Sequence, residues 1–141
     1  MTRTIDVAAA QGRLALIWIT GASAVGLLLL VQTLAGKYGG QTERAWAWFV
    51  PTVVPTLTVI MTTWFETRPM EPPQQVEVRA FRVALGVSAV YLSLVAITLL
   101  AQPFTAWSPI ELITLSHLWL GPVQGLAGYG VAKLFASKPS E

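Results

Sequence analysis

Four apolar stretches dominate this sequence of 141 residues, and each is long enough to cross a lipid bilayer as one helix. A hydrocarbon core about 30 Å thick is crossed by about 20 consecutive helical residues. Backbone polar groups in lipid must be satisfied within their own segment, which a helix achieves. The sequence therefore predicts an all-α membrane protein in which one domain, residues 1–141, has spans over residues 14–35, 45–65, 80–101 and 109–135.

The composition agrees with this prediction and excludes several classes of protein. Charged residues make up 11% of the chain, against about 25% in a soluble domain. The net charge of +2 is too small to indicate a nucleic-acid partner. Cysteine is absent, which excludes disulfides, thiolate metal sites and iron–sulfur clusters. We expect a lipid bilayer around the protein, and neither a cofactor nor a metal ion.

The basic residues predict the orientation of the spans. Lys and Arg accumulate on the cytoplasmic side of membrane proteins. Seven basic residues flank the spans on one side and two on the other, namely Arg3, Arg13, Arg68, Arg79, Arg82, Lys133 and Lys138 against Lys37 and Arg44. We expect both termini to be cytoplasmic, in a plasma membrane of the bacterial inner type, with the first span retained and not cleaved as a signal peptide. Short connections predict an up-down bundle in which consecutive helices are antiparallel neighbours.

The second span, WAWFVPTVVPTLTVIMTTW, has two unlike faces when it is drawn as a helix. Each proline removes an amide donor and frees the carbonyl four residues earlier, and nearby threonine hydroxyls can satisfy such groups. This face should therefore point into protein or water, as a threonine-rich interface or as a hydrated pathway. The face contains Pro51, Thr52, Pro55, Thr56, Thr58, Thr62 and Thr63. The pore-lining candidates among them are Thr52, Pro55, Thr56 and Thr63.

Small residues recur along one side of the other three spans. Membrane helices pack through such residues because they let two backbones approach closely. The candidates for helix packing are Gly26 in the first span, Gly86 and Ser93 in the third, and Gly121, Gly125 and Gly128 in the fourth.

The fourth span also contains polar candidates. Ser108 and Glu111 have the spacing of a capping box, so we expect them to cap the start of this helix. His117 is the single histidine of the chain, and it shares a helix face with Gln124. Ionisable groups within a span point to function. A neutral histidine that forms a hydrogen bond across helices is the alternative.

Two kinds of function remain open on the sequence alone. No Ser/His/Asp set, paired carboxylates or HExxH motif is present, so we do not expect an enzyme. The leading interpretation is a homo-oligomeric channel or pore lined by the proline–threonine face, with His117 and Gln124 contributing. The alternative is a membrane-anchored interaction subunit that binds a cytoplasmic partner through residues 66–82. A small-solute transporter ranks third, because no acidic residue lies deep in a span to couple transport.

Overall fold

The computed structural model describes residues 3–66 and 75–135, without the side chains of Thr63 and Glu66. Four helices account for most of this part of the chain. Their bounds are α1, Val7–Leu34; α2, Thr42–Glu66; α3, Val78–Leu100; and α4, Pro109–Phe135. α1 begins seven residues before the predicted span because Asp6 caps it, accepting a hydrogen bond from the Ala8 amide at 3.2 Å.

Three of the described helices, α1, α2 and α3, are long and apolar enough to cross a membrane. The fourth has the length, with 27 residues, but does not meet the same hydropathy criterion. His117, Gln124, Pro122 and four glycines lower the hydropathy of α4. The chain is thus a helical membrane protein. Its fourth helix, which has the most polar and small residues, is less hydrophobic than the other three.

The helices pack as a ring in the order α1, α2, α4, α3. The chain alternates in direction, but α2 and α3 make few contacts and lie diagonally opposite each other. The prediction that consecutive helices are neighbours is therefore wrong for this pair. Eleven residues separate α2 from α3, and a chain reaches about 3.3 Å per residue, which is ample to cross the end of the bundle.

Tryptophan indoles connect three of the four neighbouring helix pairs. Each donates its Nε1–H to a hydroxyl on the adjacent helix, so that both polar groups are satisfied inside an apolar bundle. The pairs are Trp46 with Thr33 at 3.2 Å, Trp48 with Ser116 at 2.9 Å and Trp119 with Thr98 at 3.4 Å. In the fourth pair, α1 with α3, the rings of Trp18 and Tyr91 pack with centroids 5.8 Å apart.

A two-stranded sheet ties the N-terminal segment to the segment before α3. β1, Thr4–Asp6, pairs antiparallel with β2, Gln75–Glu77, and the Val78 amide donates to the Arg3 carbonyl at 3.0 Å. The end of α4 lies at the same end of the bundle, because Gln11 Nε2 in α1 donates to the Leu134 carbonyl at 2.9 Å. The sheet was not predicted, and it gathers the basic residues of both segments at one end.

The opposite end of the bundle carries a small polar network. The Leu99 carbonyl, in the last turn of α3, accepts hydrogen bonds from Lys37 Nζ at 2.9 Å and Gln32 Nε2 at 3.0 Å. A cation at a helix C-terminus also interacts favourably with the helix dipole. Burial lowers the pKa of Lys37 from its usual value. The network fixes the α1–α2 connection against the end of α3.

The glycines that permit close packing inside the chain differ from most of those predicted. A Cβ added to Gly130 would lie 3.2 Å from the Ala84 Cβ, and one added to Gly21 would lie 2.7 Å from the Leu92 Cδ1. A Cβ added to Gly26 would lie 3.4 Å from the Phe49 Cζ, an ordinary contact distance. By contrast, a Cβ on any of four predicted packing glycines, Gly86, Gly121, Gly125 and Gly128, would meet nothing within 4 Å in the described chain. Ser93 is likewise exposed.

Candidate functional site

The polar and small residues of α2 and α4 lie together on the outside of the bundle, along the line where these two helices meet. We call this surface the α2/α4 face. The prolines and two threonines of α2 form one side of it, and the polar and small stripe of α4 forms the other. The exposed members are Arg44, Pro51, Pro55, Thr58 and Thr62 on α2 and Thr114, His117, Gly121 and Gly125 on α4.

A cleft of about 320 Å³ marks the point where the two sides of the α2/α4 face meet. Its α2 wall includes Arg44 and Pro51, and its α4 wall includes Thr114 and His117. α2 and α4 run in the same direction, so their first turns lie at one end of the cleft. The structure therefore brings His117 beside the first proline of α2, which no spacing in the sequence could indicate.

The two prolines leave backbone carbonyls without their usual helical donors. Because proline has no amide hydrogen, Pro51 frees the Ala47 carbonyl and Pro55 frees the Pro51 carbonyl. Gln124 Nε2 donates across from α4 to the Pro51 carbonyl, at a long distance of 3.4 Å. Ala47 lines the same cleft as His117. Gln124 thus replaces one lost helical bond, and the other freed carbonyl belongs to a residue of the cleft.

The threonines of the α2/α4 face use their hydroxyl hydrogens within α2. Thr58 Oγ1 donates to the Val54 carbonyl at 2.9 Å, and Thr62 Oγ1 donates to the Thr58 carbonyl at 2.8 Å. The hydroxyl oxygens keep lone pairs that can accept hydrogen bonds from outside. The members of the α2/α4 face that follow Arg44 on α2 therefore offer hydrogen-bond acceptors, and none of them carries a carboxylate.

Thr52 needs a correction, because it belongs to the interior of the subunit. Its side chain is only 6% exposed, and its Oγ1 donates to the Trp48 carbonyl. Its own carbonyl accepts a hydrogen bond from the Tyr91 hydroxyl at 2.7 Å, across the diagonal of the bundle. A residue held in this way cannot line a path on the outer surface. Thr58 and Thr62 take its place in the candidate lining.

The other predicted lining residues are distributed unevenly. Pro55 and His117 are exposed on the α2/α4 face. Thr56 and Gln124 are half-buried, and Thr56 lies on the same side of α2 as the buried Thr52. The side chain of Thr63 lies outside the described part of the structure. Part of the connecting segment 66–82 that could bind a partner, residues 67–74, also lies outside it.

The start of α4 is capped at the mouth of the α2/α4 face. The Ser108 amide donates to Glu111 Oε2 at 2.7 Å, and the Glu111 amide donates to Ser108 Oγ at 3.3 Å. These are the two reciprocal bonds of a capping box. Glu111 also lines a second cleft together with Arg44 and Thr114. The Glu111 carboxylate is therefore occupied as a helix cap.

The interior of the bundle is closed by large side chains. Trp18, Tyr91, Leu14 and Leu29 are fully buried at its centre. Within residues 3–66 and 75–135, two buried polar atoms lack a hydrogen-bond partner, Trp18 Nε1 and Ser88 Oγ. A polar path through one subunit would have to displace this core, so the α2/α4 face is the better candidate.

No protein-family profile matches the chain, and no similar curated protein or solved structure was found. The function therefore has to be argued from the α2/α4 face itself.

Proposed function

We propose that this protein is a multi-pass membrane protein that assembles as a homo-oligomeric channel, with a path lined by the α2/α4 faces of several copies. All four helices cross the bilayer in this proposal, with both termini in the cytoplasm of a bacterial-type cell. The observation that carries it is the exposure of polar and small residues of α2 and α4 along one side of the bundle, where Leu118 is the large apolar residue among them. The chain has no enzymatic role in this account.

The polarity of the α2/α4 face is the first argument that lipid does not cover it. Elsewhere the exposed side chains of the helices include large apolar ones, such as Leu27 on α1 and Val90 on α3, as lipid contact requires. A freed backbone carbonyl in hydrocarbon costs several kcal/mol, roughly, when no donor reaches it. Gln124 donates to the Pro51 carbonyl that Pro55 frees. The Ala47 carbonyl, which Pro51 frees, belongs to a residue of the cleft, so water or a second protein surface is the favourable neighbour there.

The glycines of α4 are the second argument. Gly121 and Gly125 have the spacing that lets two membrane helices approach closely, yet nothing in the described chain approaches them. A second copy of the chain would use this space. Copies that meet along their glycine stripes would turn their proline–threonine surfaces toward a shared path.

The chemistry of the lining limits what could pass. Threonine oxygens and freed carbonyls can replace part of the water around a small ion or solute. No carboxylate ring lies along the described part of the face, so strong selection for cations is not expected. His117 and Gln124 would supply the remaining hydrogen-bonding groups.

Flux through liposomes that contain the purified protein tests the proposal. We expect ion flux from the wild type under a concentration gradient. The double variant Thr58→Leu/Thr62→Leu should reduce it at least about tenfold, because leucine replaces the acceptor oxygens and fills space. The matched control is Val90→Leu/Ile97→Leu on α3, diagonally opposite α2, where the side chains are already apolar and exposed. It should leave the flux unchanged.

An absence of flux from the wild type, under gradients of several ions and solutes, would contradict the channel proposal. The second candidate is a membrane-anchored interaction subunit, and the ordered β1–β2 sheet beside α3 favours it, since it presents a defined surface at the proposed cytoplasmic end. That candidate predicts an oligomer or complex without flux. A transporter would show saturable uptake of one solute.

A further inference from the structure

A second notable surface lies at the other side of the molecule, where α3 begins and α4 ends. Two adjoining clefts of about 670 Å³ and about 480 Å³ share Glu77, Arg79 and Val83, so together they form one groove. This groove is distinct from the α2/α4 face, because it lies between α3 and α4, which are antiparallel neighbours, at the end that holds the β1–β2 sheet. We call it the α3/α4 groove.

Positive charge gathers at the wide end of the α3/α4 groove. Arg3, Arg79 and Arg82 line one cleft and Lys133 lines the other, with Glu77 as the single acid among the lining residues. The β1–β2 pairing and the hydrogen bond from the Val78 amide hold the backbone of Arg3 beside the first turn of α3. The N-terminus of α3 adds the positive end of its dipole. A phosphate group is the ligand that this combination of arginines and helix terminus favours.

The narrow end of the α3/α4 groove is apolar. Val83, Val87 and Leu126 line it, and Val83 and Leu126 remain 58% and 61% exposed. The floor is closed where Gly130 meets Ala84, the closest α3–α4 approach among the glycines. The groove therefore runs from a cationic mouth into an exposed apolar trough along the membrane-spanning part of two helices.

We propose that the α3/α4 groove binds an anionic phospholipid, with the headgroup phosphate among Arg3, Arg79 and Arg82 and an acyl chain along Val83 and Leu126. A free phosphate would match the charges but leave the trough uncovered, and a zwitterionic lipid would fill the trough but match the charges poorly. Basic pockets between membrane helices are suited to anionic headgroups. This inference rests on the membrane placement of the helices and not on the channel.

Native mass spectrometry of the purified protein tests it. The probes are phosphatidylglycerol and phosphatidylcholine with the same acyl chains, supplied in equal amounts in detergent. We expect the wild type to retain phosphatidylglycerol in preference. Arg79→Gln/Arg82→Gln should lower that retention by about fivefold for each arginine removed. Val83→Trp keeps every charge but obstructs the trough, and it should lower retention of both lipids. The control, Arg44→Gln at the opposite end, should behave as the wild type.

Three results would overturn the proposal. One is equal retention of the two lipids by the wild type. Another is retention of phosphatidylglycerol by Arg79→Gln/Arg82→Gln at the level of Arg44→Gln. The third is displacement of the lipid by millimolar glycerol phosphate, which would indicate a site for a free anion. If the double variant does not fold, the Val83→Trp variant and the competition with glycerol phosphate still test the proposal. Because no flux is measured, failure here is distinguishable from failure of the channel proposal.

Discussion

Two glycines of α4 that differ in their surroundings give the sharpest prediction about assembly. Gly125 lies on the α2/α4 face and has open space where a Cβ would be, whereas a Cβ on Gly130 would lie 3.2 Å from the Ala84 Cβ and 3.3 Å from its Cα. Replacing each by leucine puts the same side chain on the same helix. We expect Gly125→Leu to weaken the oligomer and Gly130→Leu to destabilise the subunit.

The structure sets the size of the two effects. Leucine is the better helix former by up to about 1 kcal/mol, and in Gly125→Leu no clash within the subunit opposes that gain. In Gly130→Leu the new side chain meets the α3 backbone, and overpacking of this kind costs roughly 1–3 kcal/mol. After the same gain in helix propensity, a net loss of about 1 kcal/mol is expected. The same overpacking between two copies at Gly125 would raise the dissociation constant of that interface about 5- to 150-fold.

Two measurements on each variant separate these effects. Thermal unfolding in detergent under dissociating conditions reports the stability of the subunit, and energy transfer between labelled copies in liposomes reports assembly as the protein is diluted with lipid. The melting temperature of Gly125→Leu should equal or exceed that of the wild type. Its energy transfer should be lost at a lower dilution with lipid than that of the wild type. Assembly of Gly125→Leu at the wild-type level would refute the argument that the glycine stripe serves contacts between copies. So would equal destabilisation of both variants.

Three further predictions test single contacts. Tyr91→Phe removes the buried bond to the Thr52 carbonyl and should lower the free energy of unfolding by about 1 kcal/mol, measured by denaturant titration. Pro55→Ala restores the amide donor to the Pro51 carbonyl; we expect a higher melting temperature together with reduced liposome flux, and unchanged flux would contradict the role of this carbonyl. Burial raises the pKa of Tyr38 from 10.0 to about 12, so the unfolded chain loses this proton first and stability should fall as the pH rises through that interval. Tyr38→Phe should remove that part of the slope in pH-dependent melting curves.

The positions of the helices follow closely from the sequence, because hydrophobic length and proline or serine punctuation are local properties. The Ser108–Glu111 spacing is equally local, and both of its bonds are present. The predicted span begins at Leu14, whereas α1 begins at Val7, because the alanine-rich segment before Gln11 extends the helix back to Asp6, which caps it. Local chemistry sets such helix boundaries, and Asp6, a residue type that commonly caps helices, is the sequence feature that indicates this start.

The neighbours of each helix could not be predicted, because they depend on contacts between distant residues. The indole–hydroxyl pairs, such as Trp48 with Ser116, connect neighbouring helices of the ring. In the sequence, each of these two residues is an ordinary apolar or small position, so the pairing is not evident. Trp48 is only 4% exposed, which its place near the start of the second span does not indicate. The inward location of Thr52 depends in the same way on Tyr91, a residue 39 positions away.

The packing glycines illustrate the same limit. A helical wheel groups Gly121, Gly125 and Gly128 correctly on one side of α4, but it does not reveal which neighbour that side meets. Gly130, which does approach α3, is not among the predicted packing glycines. Periodicity thus identifies a face, and only the three-dimensional arrangement shows that the face is directed outward beside the prolines of α2.

Accessibility of single cysteines to water tests the central claim most directly, since the natural chain has no cysteine and each variant carries one reactive thiol. In sealed liposomes, Thr58→Cys on the α2/α4 face and Leu126→Cys on the apolar side of α4 would be exposed to a membrane-impermeant thiol reagent. A water-filled path predicts fast labelling of Thr58→Cys and protection of Leu126→Cys. Equal protection of both positions would contradict the channel and leave the α2/α4 face as a dry contact between proteins.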